Sequence, residues 1–377
     1  MMKEKRKIIL VDIFFLRLAQ TGIKTYIESL LDQIESYRGE TFQFIVYPSP
    51  GKLRNQSFFK GKTARWKNWL FQLRYFSHKL IVLPVLSYWF KSDLVFSPDF
   101  LSPLGSRGER VSVIHDAFFW ESPGHYHPLW RKIYLYLLTK SVQKGAHILT
   151  VSHFAKSQIA QYLKSAQPIT AIPTGLDMPH RSRNAHVASP QTKPYFLHVG
   201  VMEKRKNLNT LIKAFALFSE QADKDYQLVL VGQRAPRATL DAFDEMMEQI
   251  KELGLEKKVI LPGYVSQDTL SKYYQNALAY VFPSRNEGFG LPVLEAFAYG
   301  LPVIIGPQGA LQEVGGPAVC CSKSFLPEDF AKALKLLAGD EKLREKLAAL
   351  GTQRLEQFSG EKFFLSLQEY FKRILHG

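Results

Sequence analysis

Pro283-Ser284-Arg285-Asn286-Glu287-Gly288-Phe289-Gly290-Leu291-Pro292-Val293-Leu294-Glu295-Ala296 is the stretch on which the fold turns. The apolar run over residues 277–282 leads into it and reads as a strand. Pro292 suits the first turn of a helix, where a missing N–H costs nothing. The unit is strand, glycine loop, helix, with free backbone N–H groups at the helix mouth that attract phosphate, which makes Phe289, Gly290 and Leu291 the candidate binding positions. Glu287 stands before that mouth and Glu295 about one turn inside it, both placed to accept hydrogen bonds from hydroxyls. A sugar diphosphate offers the matching pattern, anionic in the middle and hydroxyl-rich at both ends.

Around this unit, apolar strands alternate with amphipathic stretches along the chain, which predicts a doubly wound α/β architecture. In the first half the pattern predicts strands at 8–11, 42–47, 94–96, 111–114 and 147–151, and helices at 24–35, 128–144 and 152–163. Over 176–194 the composition lapses into Pro, Ser, Arg, His and Asn, a linker. A second alternation predicts strands at 195–199, 227–231, 259–261, 278–282 and 303–305, with helices near 207–221, 238–253, 268–276 and 292–299. The expected division is a first domain over 1–178, a linker over 179–193, a nucleotide-sugar domain over 194–358, and a last helix over 359–377 packing back on the first domain. Two such sheets predict a cleft between them, with ligands outside the carboxyl ends of the strands.

At 377 residues the chain has room for two ordinary domains, and its 46% apolar content is that of a globular protein. The two cysteines, Cys320 and Cys321, are adjacent and give neither a metal spacing nor a disulfide framework, so a cytoplasmic location is expected. The basic start followed by an apolar run superficially resembles a secretory signal. Asp12 and Arg17 interrupt that run, and a buried first strand is expected instead. The net charge of +15 is lopsided: residues 1–190 hold 26 Lys/Arg against 12 Asp/Glu, whereas 191–377 hold 23 against 22. From Thr41 to Ser92 there is no acidic residue, and nine Lys/Arg are interleaved with aromatics. A basic aromatic segment over 52–91 suits an anionic membrane surface, placing the protein peripherally on the inner face of the plasma membrane. Phosphate-rich nucleic acid is the second partner class for such a segment, and a solvated helix over the core is the third reading.

Val199-Gly200-Val201-Met202-Glu203-Lys204-Arg205-Lys206-Asn207-Leu208 is the second informative segment. A strand ends at Gly200, a short loop follows, and three consecutive cations there can neutralise a diphosphate, Arg as a fork and Lys as a point charge.

The 283–296 stretch resembles the E-x7-E motif of the retaining glycosyltransferases of family 4, which have the GT-B fold. The 199–208 loop is similar to that family's G-x-x-x-x-R-K-N loop, with Lys204 where the family often has Pro. Val151-Ser152-His153-Phe154-Ala155-Lys156-Ser157 and Pro173-Thr174-Gly175-Leu176-Asp177 resemble its other turns. The resemblance implies two Rossmann-like domains facing a central cleft and a nucleoside-diphosphate sugar as donor, with no cofactor, no metal and no nucleic acid. It implies that Arg205 and Lys206 hold the donor phosphates, Glu295 the ribose, Glu287 the sugar hydroxyls, and the backbone near Tyr264 and Val265 the base. His115, in the family's His-Asp pair with Asp116, is implied near the donor sugar, and Gly22 would let backbone approach a phosphate or acceptor. The overall likeness is to bacterial mannosyl- and rhamnosyl-type transferases of surface polysaccharide assembly. The expected reaction is therefore retaining transfer of a hexose, mannose first, to a glycan acceptor, lipid-linked if the basic aromatic segment touches membranes and soluble otherwise. The alternatives are a sugar-nucleotide epimerase on the same scaffold and a basic nucleic-acid-binding protein.

Overall fold

The computed structural model describes residues 6–17, 22–51, 65–165, 167–177, 188–235 and 239–376. They form two compact units, Met1–Asp177 with Phe358–Gly377, and Met178–Gln357.

In the first unit, strands β1 (Lys7–Asp12), β2 (Phe42–Tyr47), β3 (Leu94–Ser97), β4 (Glu109–Val113), β5 (His147–Thr150) and β6 (Thr170–Ala171) pair in the order β2-β1-β3-β4-β5-β6, all parallel. Ile9, Leu10, Val11, Val95 and Phe96 are fully buried. Consecutive apolar residues, rather than alternating ones, are what a parallel sheet covered on both faces requires. Helix His153–Tyr162 starts where Ser152 Oγ accepts the Ala155 N–H at 2.9 Å, a capping bond that fixes the turn out of β5. The last helix, Gly360–His376, covers this same sheet. Phe363 packs edge-on to Tyr26 at 4.9 Å and Phe371 to Phe96 at 5.2 Å, and Asp177 Oδ1 accepts the Gly360 N–H at 2.9 Å.

The basic aromatic segment is helical from Arg65: an α-helix Arg65–Ser77, one π turn His78–Val82, and an α-helix Leu83–Trp89. Residues 52–64 of that predicted segment lie outside the described residues. Phe71, Tyr75, Lys79 and Leu83, spaced by four, are buried, the first two against Phe14, Leu101 and Tyr134 and the last against Leu10 and Val95 of the sheet. The opposite face is also apolar, with Trp66, Trp69, Leu73, Ile81, Val85, Tyr88 and Trp89 each more than half exposed.

In the second unit, β7 (Tyr195–Val199), β8 (Gln227–Val231), β9 (Val259–Gly263), β10 (Ala279–Phe282), β11 (Val303–Ile305) and β12 (Val319–Cys321) form a parallel sheet in the order β12-β11-β10-β7-β8-β9. Numbered within the unit this is the Rossmann order 3-2-1-4-5-6 read backwards. Its main core packs helix Leu208–Glu220, through Leu211 and Phe215, against β7, β8 and helix Pro327–Gly339. The ends of β7 and β8 approach so closely that a Cβ on Gly232, whose φ is +149°, would lie 1.8 Å from the Gly200 carbonyl oxygen. The sequence pattern did not announce β6, β12, or the helices Gly309–Gly315, Pro327–Gly339 and Glu341–Leu355.

Candidate functional site

β7 and β10 are neighbours at the centre of the second sheet, and the chain leaves them in opposite directions, toward β8 and toward β11. That reversal opens a crevice at their carboxyl ends. The loops departing there are 200–207 and 283–290, and hydrogen bonds stitch them together. The Arg285 N–H donates to Arg205 O at 2.9 Å, Ser284 Oγ to Arg205 O at 3.1 Å, and Asn207 Nδ2 to Pro283 O at 3.2 Å. Gln308 braces the second loop from the β11 side, donating to Glu287 O at 2.9 Å.

Glu287 projects into this frame and gathers its neighbours on one oxygen. Oε1 accepts from Lys206 Nζ at 2.7 Å, Ser284 Oγ at 2.7 Å and Arg205 Nη1 at 3.0 Å. Arg205 also donates through Nε to Glu203 Oε2 at 2.7 Å and through Nη1 to Asn286 O at 3.2 Å. Lys206 is buried, its ammonium 4.6 Å from the centre of the Phe282 ring. Burial alone would raise the Glu287 carboxyl, but Arg205 and Lys206 outweigh it and bring the group down to about 2. At Lys206 burial wins, pulling the ammonium below the ordinary lysine value against the upward pull of Glu287. Lys204 departs from the expectation of three converging cations: its Nζ lies 2.6 Å from Glu245 Oε1, on the surface of helix Phe243–Glu252.

Helix Leu291–Ala298 opens from Gly290, whose φ of +111° suits glycine and where a Cβ would come 2.6 Å from Leu311 Cδ2. Pro292 has no N–H and the Val293 amide is already bonded to Gly290 O at 2.9 Å. An anion at this mouth would therefore meet the amides of Gly290 and Leu291. The Phe289 and Leu291 side chains are buried, so a ligand here would meet backbone at those positions. Glu295 lies half-buried in the second turn; burial raises its carboxyl, and Tyr274 OH donates to its Oε2 at 3.2 Å. Tyr274 is itself stacked on Tyr299, with centroids 4.9 Å apart and planes 2° from parallel. Gly200 ends β7 and Tyr264 follows β9, at the same end of the sheet; Tyr264 is 78% exposed and Val265 half-buried.

The structure thus brings Arg205, Lys206 and Glu287 into direct contact, with Gly200, Gly290, Leu291 and Glu295 on loops and a helix leaving the same sheet end. His115 and Gly22 belong to the first unit. His115 follows β4, donates from Nε2 to Pro98 O at 2.9 Å and packs edge-on to Tyr26 at 5.0 Å. Burial lowers its ring below the ordinary histidine value, so the neutral imidazole keeps its lone pair on Nδ1. Asp116 Oδ1 accepts the Phe118 N–H at 3.0 Å, holding the start of the short helix Phe118–Glu121. Gly22 is the first residue of helix Gly22–Ser36, and Thr21 before it lies outside the described residues.

Sequence reasoning missed Glu203, Ser284 and His198. The first two carry no distinctive spacing. His198 interrupts the apolar strand β7 two residues before Gly200, which was a legible signal. Its Nδ1–H donates to Val281 O at 2.9 Å, and its buried Nε2 has no hydrogen-bond partner among the described residues. Burial lowers this ring to about 4.

Residues 181–354 match the family described as "Glycosyl transferases group 1", and residues 21–179 the family described as "Glycosyltransferase Family 4". The O-antigen chain mannosyltransferase B of Escherichia coli is 30% identical over 283 residues, 72% of this chain and 72% of that one. Among solved structures, sucrose-phosphate synthase from Thermosynechococcus elongatus has a TM-score of 0.74 at 18% identity, over 98% of this chain and 100% of that one. Anabaena HepE in complex with UDP and glucose has a TM-score of 0.67 at 17% identity, over 97% and 99%. With two Rossmann-like units of the GT-B fold and matches to both family descriptions, the chain belongs to the group 1, family 4 glycosyltransferases.

Proposed function

We propose that this glycosyltransferase moves mannose from a nucleoside-diphosphate sugar to a glycan acceptor with retention of configuration, and without a metal. The observation that carries the donor reading is the Glu287–Arg205–Lys206 cluster at the switch point of the second sheet. Breaking a sugar–phosphate bond leaves negative charge on the diphosphate, and preorganised cations and amides at that position lower the barrier. Arg205, Lys206 and the Gly290 and Leu291 amides take that part, with Gly200 letting backbone approach. Glu287 orients sugar hydroxyls, Glu295 takes the ribose hydroxyls, and Tyr264 and Val265 hold the base. His115 hydrogen-bonds the donor sugar, and Gly22 lines the acceptor side. The bond from the anomeric carbon to phosphate oxygen breaks as the acceptor oxygen bonds that carbon on the same face. The acceptor proton passes to the departing phosphate. Mannose is the choice because the E. coli relative at 30% identity is named a mannosyltransferase.

The acceptor is lipid-linked, at the anionic cytoplasmic face of a membrane, in surface polysaccharide assembly. Support comes from the segment over 65–89, apolar on both faces with only one packed on the sheet, in a stretch free of acidic residues. Among the described residues no helix is long and apolar enough to cross a membrane.

A panel of UDP-, GDP-, dTDP- and ADP-sugars tests the donor by thermal shift, since a ligand that binds the native state raises its apparent stability. GDP-mannose should give the largest shift, and NMR of the transfer product should show the anomeric configuration of the donor. A panel with no shift at all, or an inverted product, overturns the reading. Conversion of the donor without acceptor would mark an epimerase instead. Co-sedimentation with phosphatidylglycerol vesicles tests the surface: absence of pelleting at low salt removes the membrane assignment.

A further inference from the structure

A groove of about 980 Å³ lies in the first unit, against the edge strand β6 and the start of β5, and is closed on one side by the last helix. Its size is at the upper end of ordinary small-molecule sites, which run to roughly 1,000 Å³. Arg110, Lys144, Lys156 and Arg373 line it, together with His147 and His153; Glu109 is its one lining carboxylate. That carboxylate is engaged with His147 at 3.3 Å. The arginines are held by neutral groups. Arg110 donates to the carbonyls of Lys144, Pro103 and Leu104, and the Arg373 guanidinium lies 5.0 Å from the centre of the Tyr370 ring. Glu109 offsets part of the Arg110 charge, and the lining cations outnumber that carboxylate. A concave site lined by one sign of charge concentrates ions of the other sign. Gln167, Thr170 and Tyr370 add hydroxyl and amide groups among the cations. Glu109 and His147 stand at the amino ends of β4 and β5, so much of the groove lies toward the end of the sheet opposite to His115.

We propose that this groove is a second saccharide site, one that takes the acidic part of a phosphate- or carboxylate-bearing glycan. Forked and point-charge cations bind the oxyanions, while the neutral polar side chains bind ring hydroxyls. The inference does not depend on the donor assignment, because every lining residue belongs to the first unit.

The test uses full-length protein carrying Lys206→Ala, which weakens anion binding at the other candidate site, with and without Lys144→Glu/Lys156→Glu. Glucose 1-phosphate is the probe and glucose the neutral control, both followed by calorimetric titration. Glucose 1-phosphate should bind the parent, and the double charge reversal should weaken it by roughly tenfold or more, since charge-assisted contacts are lost. Both lysines are exposed, so the thermal midpoint should stay put; Lys144→Gln/Lys156→Gln repeats the measurement without new carboxylates. Equal affinity in parent and variants, or equal binding of glucose, overturns the proposal. Phosphatidylglycerol vesicles form the third arm. Pelleting that survives the charge reversal is expected, and pelleting lost together with probe binding would assign the groove to lipid headgroups and overturn the saccharide site.

Discussion

Both sheets reverse their winding at one point, between β1 and β3 in the first unit and between β7 and β10 in the second, and both place charged side chains there. In the first unit the group is sealed. Lys79 Nζ lies 2.6 Å from Asp12 Oδ2 and 2.5 Å from Asp99 Oδ1, all three nearly inaccessible. His78 Nε2 meets Asp12 Oδ1 at 2.8 Å, and Tyr75 OH donates to Asp99 Oδ2 at 2.6 Å. Burial would raise the Asp12 carboxyl, but Lys79 and His78 hold it well below the usual range; at Asp99 burial prevails and the carboxyl is raised. In the second unit the corresponding group stays partly open, with the Arg205 side chain 26% exposed beside Glu287. The first crevice is filled by the chain's own ammonium, carried in by the helical segment that faces outward with Trp and Tyr. The same topological position therefore holds a sealed ion cluster in one unit and the proposed donor site in the other, and solvent access separates the two.

The widest contrast should come from Lys79→Met. It leaves Asp12 and Asp99 buried without their cation, and losing one partner of such a group costs about 3–5 kcal/mol. Urea unfolding would show it, while transfer per folded molecule should stay near wild type. A loss under about 1 kcal/mol would mean the crevice admits water. Glu287→Gln should reverse the pattern: turnover down roughly 100- to 1,000-fold, as for loss of a preorganised electrostatic contact, with a much smaller stability change than Lys79→Met. Wild-type turnover in that variant would sink the assignment.

Acid should weaken the second unit through two groups. The His198 ring has a folded value of about 4 against an ordinary 6.5, so the native state binds fewer protons than the unfolded chain in that window. Its contribution is complete above 6.5 and is lost as pH falls toward 4. Glu287, at about 2 against 4.5, adds a second loss from 4.5 downward. Urea midpoints measured from pH 7 to 4 should fall less steeply in His198→Gln, and parallel curves would show that the ring titrates normally. The smallest effect belongs to Tyr274→Phe, which removes one hydrogen bond to Glu295, worth about 0.5–1.5 kcal/mol. Donor KM should rise a few-fold with kcat nearly unchanged, and a shift confined to kcat would place Glu295 at the reacting carbon instead.

The interior strands were legible because each is a short continuous apolar run ending near Gly, Ser or Asp, as at Val199-Gly200 and Val231-Gly232. Arg205, Lys206 and Glu287 were nameable one by one from their loops. Their mutual contact was not, since it needs β7 beside β10, a pairing of strands some 80 positions apart. The Asp12–Lys79–Asp99 group was invisible for the same reason: nothing local marks Lys79, in a basic segment, as a lysine turned inward. Edge strands β6 and β12, of two and three residues, are too short to show a period. Lys204 misled because adjacent residues on a tight turn point in different directions, which composition does not record.

The last helix sets an order of events during synthesis. Residues 1–177 leave the ribosome before 358–377, yet the surface formed by Tyr26, Phe42 and Phe96 packs against Phe363 and Phe371 of the last helix. Domains made first ordinarily fold first. Here the first-made unit waits for residues 358–377 before its apolar face closes, while Met178–Gln357 has all its residues without them. A chain truncated shortly before residue 358 and released should carry a finished second unit and a sticky, protease-sensitive first one.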